Sequence, residues 1–216
     1  MDSLKLTQQK LFSTQIYKKK LCPNFEQRRQ LVQDIKTEAS QIYLADKQGI
    51  LWSKTYYPNG YTSYSSTEKG FDRLHKASST FQNLESYINK KVKLFIKTLN
   101  YNILPQDLIM THCWINIMGE GSQHQSHNHP LSVISGTFYV SVPKNSSCLK
   151  LEDPRMSNFM NTPSLKENIP IHQKRHVEVY PEEGDIILFE SWLKHEVPLN
   201  KSKKNRISVS FNYGWK

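Results

Sequence analysis

The sequence predicts an α+β protein that is mainly β, with helices in its first half and a sandwich or jelly roll in its second. Three observations carry that expectation. Apolar residues recur at helical spacing in two segments before residue 100. From Leu108 onward the pattern changes to an alternation of period two. Turn signals then divide the second half into roughly seven short strand-like runs, the pattern of a sandwich or jelly roll.

The first helix is expected over Asn24 to Tyr43, where Phe25, Leu31, Val32, Ile35, Ala39 and Ile42 form one stripe. Asn24 follows Pro23, and its short polar side chain suits an N-cap. The second is expected over about Ser79 to Leu99, with Phe81, Leu84, Ile88, Val92, Phe95 and Leu99 on one face. Trp52 to Gly70 is rich in Tyr, Ser, Gly and Asn. The run Tyr56-Tyr57-Pro58-Asn59-Gly60-Tyr61-Thr62-Ser63-Tyr64 predicts a loop or short hairpin rather than a long helix. Its aromatic and hydroxyl content suits a binding lip, and ordinary loop chemistry accounts for it equally well.

In Ile109 to Met118, His112, Trp114 and Asn116 share one face of a strand, and Cys113, Ile115 and Ile117 share the other. In Val133 to Val142, Ser135, Thr137 and Tyr139 oppose Ile134, Phe138 and Val140. Further strands are expected at Cys148 to Leu151, Val177 to Tyr180, Ile186 to Phe189, His195 to Val197 and Ile207 to Tyr213, with a turn at Glu183-Gly184-Asp185. Several of these strands have one apolar face and one that mixes His, Ser, Thr, Tyr, Asn and Arg. A half-exposed sheet has that character, and so does a barrel with a polar, ligand-holding mouth. The expected organisation is a helical and loop segment, 1–107, packed on a β core, 108–216, as one structural domain.

A chain of 216 residues with 37% hydrophobic residues can bury a core. No apolar run approaches the roughly 20 residues of a membrane span, and no apolar segment of the secretory type follows Met1-Asp2-Ser3-Leu4-Lys5. Cys22, Cys113 and Cys148 are far apart and form no CxxC pair, which fits reduced thiols and a cytoplasmic location. The net charge of +10 gathers in the runs Lys18-Lys19-Lys20, Lys90-Lys91-Val92-Lys93 and Lys201-Ser202-Lys203-Lys204. It favours an acidic partner, with macromolecules and nucleic acid among the candidates. No aromatic residues interleave with the lysines, so a solvated lysine-rich surface is the simpler account.

The chemistry gathers on histidines. On an extended strand, residues i and i+2 lie on one face, so His127 and His129 can reach one ion, with Pro130 ending the ladder beyond them. Neutral imidazole suits Fe(II), Zn(II) or Cu(II). His124 fits an outer or substrate-facing role better than that of a ligand. His195 lies far downstream, and Arg206 follows it by eleven positions with Ser208 on the same strand face. A guanidinium holds a carboxylate bidentately, and a neighbouring hydroxyl donates one more hydrogen bond. Taken singly, an HxH pair is as readily a surface feature, His195 a core histidine and Arg206 a strand-edge residue in a salt bridge.

Taken in order, six stretches resemble the 2-oxoglutarate/Fe(II) oxygenases of the bacterial and phage type. They are Trp114-Ile115-Asn116-Ile117-Met118 with His127-Asn128-His129-Pro130, then Ser135 to Pro143, and then Leu151 to Arg155 with Gly184 to His195 and Arg206 to Asn212. The resemblance spans about Ile109 to Trp215. In the first half only Leu11 to Thr14 and Gly60 to Ser63 share it. It implies a double-stranded β-helix, a cupin-like jelly roll, buttressed by N-terminal helices. It also implies Fe(II), 2-oxoglutarate and O2, with oxidative decarboxylation to succinate and CO2 coupled to hydroxylation of a substrate.

Within that resemblance His127 and His195 are the first and distal iron ligands. Arg206 and Ser208 bind the 5-carboxylate of 2-oxoglutarate with Tyr139, and Asn116 serves its keto-acid end. The wider superfamily carries His-x-Asp/Glu, whereas here the second position is His129. Three readings follow: a three-histidine site, which is favoured; a carboxylate from Asp153 or Glu152; or water in place of one ligand. Two other classes compete. One is a cupin-like three-histidine enzyme without 2-oxoglutarate, which has no need of the Arg206–Ser208 pair. The other is a basic binding module, whose binding would depend steeply on salt.

Overall fold

The structure, a computed structural model, describes residues 11–216, so the Met1 to Lys5 stretch lies outside the described residues. The helical first half contains α1 (Phe25–Ala45), α2 (Lys47–Tyr56), the single turn α3 (Leu74–Ala77) and α4 (Ser79–Leu99). Asn24 caps α1 by accepting the Gln27 N–H, and Ser78 caps α4 by accepting the Phe81 N–H. Asn100 then ends α4 in the left-handed region, at φ 57°.

Among the described residues, ten strands form two antiparallel sheets. They are β1 (Ile16–Lys20), β2 (Gly60–Thr62), β3 (Leu108–Met118), β4 (His124–His127), β5 (Ile134–Ser141), β6 (Leu149–Glu152), β7 (His176–Val179), β8 (Asp185–Glu190), β9 (His195–Val197) and β10 (Arg206–Trp215). The larger sheet runs β1-β8-β5-β10-β3-β2 and the smaller β4-β9-β6-β7. The fold is a double-stranded β-helix.

Alternation decides which layer each residue joins. Ile186 and Leu188 of β8 face outward to α1 and α4, in one cluster with Leu31, Ile35, Leu84 and Ile88. Ile187 and Phe189 face inward, in a second cluster with Tyr139, Leu149, Leu151 and Val197 between the sheets. Each fully buried Leu, Ile or Phe contributes about 1.5–3 kcal/mol, so the helices stabilise the outer face while the inner face is left to close around a site.

The structure corrects several expectations. The Trp52 to Gly70 loop is helical as far as Tyr56, because α2 starts at Lys47 behind an Asp46 cap. Phe25 begins α1 but is exposed and lies off its buried stripe. Strand β1 was not expected, β2 falls where a loop or short hairpin was expected, and β4 is the extended segment expected at His127, so ten strands among the described residues replace roughly seven. β1 is hidden in a lysine run: it pairs with β8, and Lys18 and Lys20 reach the Asp185 carboxylate at 3.5 and 3.0 Å. β2 pairs with the end of β3. Two strands from the first 107 residues are therefore built into the larger sheet. A bulge opposite Asn212/Tyr213 leaves Thr111 unpaired, so Met110 and Cys113 are both buried and the alternation changes phase there.

Candidate metal and co-substrate site

The faces that mix His, Ser, Thr, Tyr, Asn and Arg look into the space between the sheets. They line a cavity of about 900 Å³ between the two sheets. The end of β4 and the start of β9 place His127 directly opposite His195 in the ladder. His129 was expected to share a strand with His127, but β4 ends at His127. His129 sits in the loop beyond, where its backbone N–H donates to the Ser191 carbonyl (2.9 Å). The loop nevertheless turns the ring inward. One ring nitrogen from each of His127, His129 and His195 lies within 4.8 Å of the other two.

Hydrogen bonds fix which nitrogen that is. His127 Nδ1 lies 2.7 Å from the Gln125 carbonyl and His195 Nδ1 lies 2.9 Å from the Leu193 carbonyl. A carbonyl oxygen only accepts, so both Nδ1 atoms carry hydrogen. His129 Nδ1 donates likewise to Asn212 Oδ1 (2.6 Å). Each ring is left with a free lone pair on Nε2, the arrangement a metal requires of its histidine ligands. Burial, reinforced by the like charge of His127, pushes His195 down to about 3, and burial also lowers His129. These two rings are neutral at neutral pH, as ligands must be.

Arg206 is not a strand-edge residue. β10 is central in its sheet, and Arg206 is 2% exposed. Among the described residues it meets no carboxylate. Its Nη1 reaches Met118 Sδ (3.3 Å) and Ser208 Oγ (3.4 Å), its guanidinium lies 5.0 Å from the Tyr139 ring centroid, and its Nε has no partner. Asn116 donates to Ser210 Oγ (3.0 Å) and leaves its Oδ1 unpaired, and the Tyr139 hydroxyl is also buried without a partner. Burial pushes that hydroxyl up to about 12, so it stays protonated and able to donate. A buried, unpaired guanidinium beside idle donors costs stability unless an anion completes it.

The alternative carboxylates lie elsewhere. Asp153 is held bidentately by Arg155 (2.9 and 2.7 Å), and Glu152 faces Lys194 (3.9 Å). Neither joins the histidine group among the described residues. His124 keeps an outer position, 6.2 Å from the His127 ring and 4.4 Å from that of Tyr57. Burial, with the neighbouring His127, pushes it down to about 3. Three convergent Nε2 lone pairs next to an uncompensated cation fit a divalent metal and an anionic chelator.

Residues 112–212 match the family model described as "Putative 2OG-Fe(II) oxygenase". The β core is similar to the 2-oxoglutarate/Fe(II) oxygenases over that stretch. Oxygenases of this family use Fe(II), 2-oxoglutarate and O2. HygX from Streptomyces hygroscopicus, solved with nickel and 2-oxoglutarate bound, is similar in fold: 14% identity, TM-score 0.60, 94% of this chain and 84% of that one. A Pseudomonas putida prolyl-4-hydroxylase is similar at 11% identity and TM-score 0.60, over 94% of both chains. The chain spans 57% of the length of a 2OG-Fe(II) oxygenase family oxidoreductase from Burkholderia pseudomallei, with 14% identity, a TM-score of 0.44 and 60% of this chain covered. No protein of curated function matches the sequence.

The cavity also contains residues that the sequence did not single out. Tyr57 contributes a buried, unpartnered hydroxyl near Arg206; burial raises its pKa well above the ordinary tyrosine value, and Arg206 opposes that rise. Its place in the Tyr-rich run was the available signal. Asn212 and Ser135, which hold His129, gave no signal, because β5 and β10 must first pair before they meet it.

Proposed function

We propose that this oxygenase hydroxylates a C–H bond of its substrate, with Fe(II) held by His127, His129 and His195 and 2-oxoglutarate held by Arg206, Ser208, Tyr139 and Asn116. The observation that supports it is the convergence of three Nε2 lone pairs and an unpaired buried arginine in one cavity. Fe(II) bound there supplies the activation of O2 that couples oxidation of the substrate to conversion of 2-oxoglutarate into succinate and CO2.

The chain's own residues bind, orient and exclude water. Arg206 neutralises the distal carboxylate, and the Tyr139 and Ser208 hydroxyls donate to it. In a water-poor cavity such charge-assisted bonds are roughly twice as strong as neutral ones. Three neutral ligands leave the site more positive than two histidines and a carboxylate would, which favours a dianionic co-substrate. The Tyr-rich segment from Tyr56 to Tyr64 forms part of the substrate mouth.

Among the described residues no helix is long and apolar enough to cross a membrane. Cys22, Cys113 and Cys148 are all free and buried, which supports a reducing, cytoplasmic setting.

The test is anaerobic addition of Fe(II) and 2-oxoglutarate, read by the visible charge-transfer band of a chelated keto acid. Wild type is expected to develop the band, and Arg206→Ala and His129→Ala to lose it. Survival of the band in His129→Ala would place the third ligand elsewhere. Its absence from folded wild-type protein would overturn the assignment.

A further inference from the structure

Part of the cavity wall is built from aromatic rings that carry no formal charge. Trp52 and Tyr56 stand one turn apart on α2, with ring centroids 5.1 Å apart. Tyr64 packs on Trp114 at 4.8 Å and on His112 at 5.8 Å. All five line the cavity. Trp52, Tyr56 and Tyr64 are 42%, 69% and 47% exposed, so their rings are open to a ligand in the cavity. No aspartate, glutamate or lysine lines the cavity among the described residues, and Arg206 is its one guanidinium.

The net charge of +10 therefore does not reach the wall a substrate would touch. A phosphorylated or otherwise acidic substrate would find no free cation there once Arg206 holds the co-substrate. The cavity, about 900 Å³, is at the upper end of the roughly 300–1,000 Å³ that encloses a drug-sized molecule. It leaves space for such a molecule beside a small keto acid.

Resting on the oxygenase reading, we propose that the substrate is an uncharged, ring-bearing small molecule that stacks on the Trp52, Tyr56 and Tyr64 lip. Aromatic stacking contributes about 0.5–1.5 kcal/mol per pair beyond area burial, so loss of one ring is expected to weaken binding roughly threefold to tenfold.

The experiment is titration with a matched pair of probes, 4-nitrobenzamide and 4-nitrobenzoate, read by quenching of tryptophan fluorescence. It is run with and without 2-oxoglutarate, and a single-stranded oligonucleotide serves as the polyanionic probe. The neutral amide is expected to bind saturably and more tightly than the carboxylate when 2-oxoglutarate is present, and to be insensitive to salt. Trp52→Ala, Tyr56→Ala and Tyr64→Ala, all at exposed positions, are expected to weaken it by that factor. Tighter binding of 4-nitrobenzoate, salt-dependent binding of the oligonucleotide in this cavity, or saturable quenching by neither small probe would each overturn the proposal. Calorimetry of Ni(II) and 2-oxoglutarate binding separates the two claims. Heat from the metal and keto acid without preference for the amide defeats only the lip, whereas amide binding without that heat defeats the oxygenase reading on which the substrate role rests.

Discussion

His129 depends on a buried polar cluster that is specific to a histidine at this position. Its Nδ1–H donates to Asn212 Oδ1, which also accepts from Ser135 Oγ (2.8 Å), and Ser135 Oγ lies 2.8 Å from Ser191 Oγ. Ser135 and Ser191 are fully buried. The cluster fixes both the tautomer and the direction of the ring. Removing a partner that orients a ligand costs roughly tenfold to a hundredfold in metal affinity. Asn212→Ala is therefore expected to weaken Ni(II) binding by that factor in calorimetry, with its fold intact by circular dichroism. Unchanged affinity would show that the ring needs no such support.

The lip rests on the junction of α1 and α2. Asp46 is fully buried and caps α2 by accepting the Gly49 N–H (3.0 Å) through Oδ1. Its Oδ2 accepts from the Tyr61 hydroxyl (2.9 Å) and from Ser66 Oγ. One carboxylate thus joins the helix that carries Trp52 and Tyr56 to the segment around Tyr64. Asp46→Ala removes the cap and strands two buried hydroxyls. Its expected cost is about 2–4 kcal/mol, read as a lower urea midpoint. The same variant is expected to raise proteolytic cleavage between α2 and α3. A urea midpoint equal to wild type would show that the carboxylate does not hold the junction.

At the scale of the whole molecule, the site makes stability depend on pH. His124 and His195 are held down to about 3 in the folded chain, chiefly by burial, while an unfolded histidine titrates near 6.5. Between these values the unfolded chain binds more protons than the folded one, so stability falls as pH drops from about 6.5 toward 3. The slope is about 1.4 kcal/mol per pH unit for each such histidine. Urea midpoints of the metal-free protein are expected to fall steadily from neutral pH to pH ~4.5. A flat profile over that window would contradict the neutral, buried state of these rings.

The sequence by itself determined the layers and named residues that the structure brings together in one cavity. Helical spacing located α1 and α4, because a helix packed on a sheet must show its apolar stripe. Alternation located β3, β5 and β10, because one face of each had to be apolar, and β8 was expected at the apolar run Ile186 to Phe189. The order of His127, His129, His195 and Arg206 pointed to an iron and keto-acid site. Tertiary structure decided what no local pattern records. β1 ends in three lysines and is a strand because β8 offers an edge and Asp185 offers a carboxylate to Lys18 and Lys20. α2 is too short for periodicity to separate it from the aromatic loop it enters. The polar faces of β3, β5 and β10 resembled solvated faces, and only closure of the smaller sheet over them made a cavity. His129 meets its partners through contacts 83 residues apart in the chain. Such contacts are fixed by strand register, which forms only when the whole barrel does.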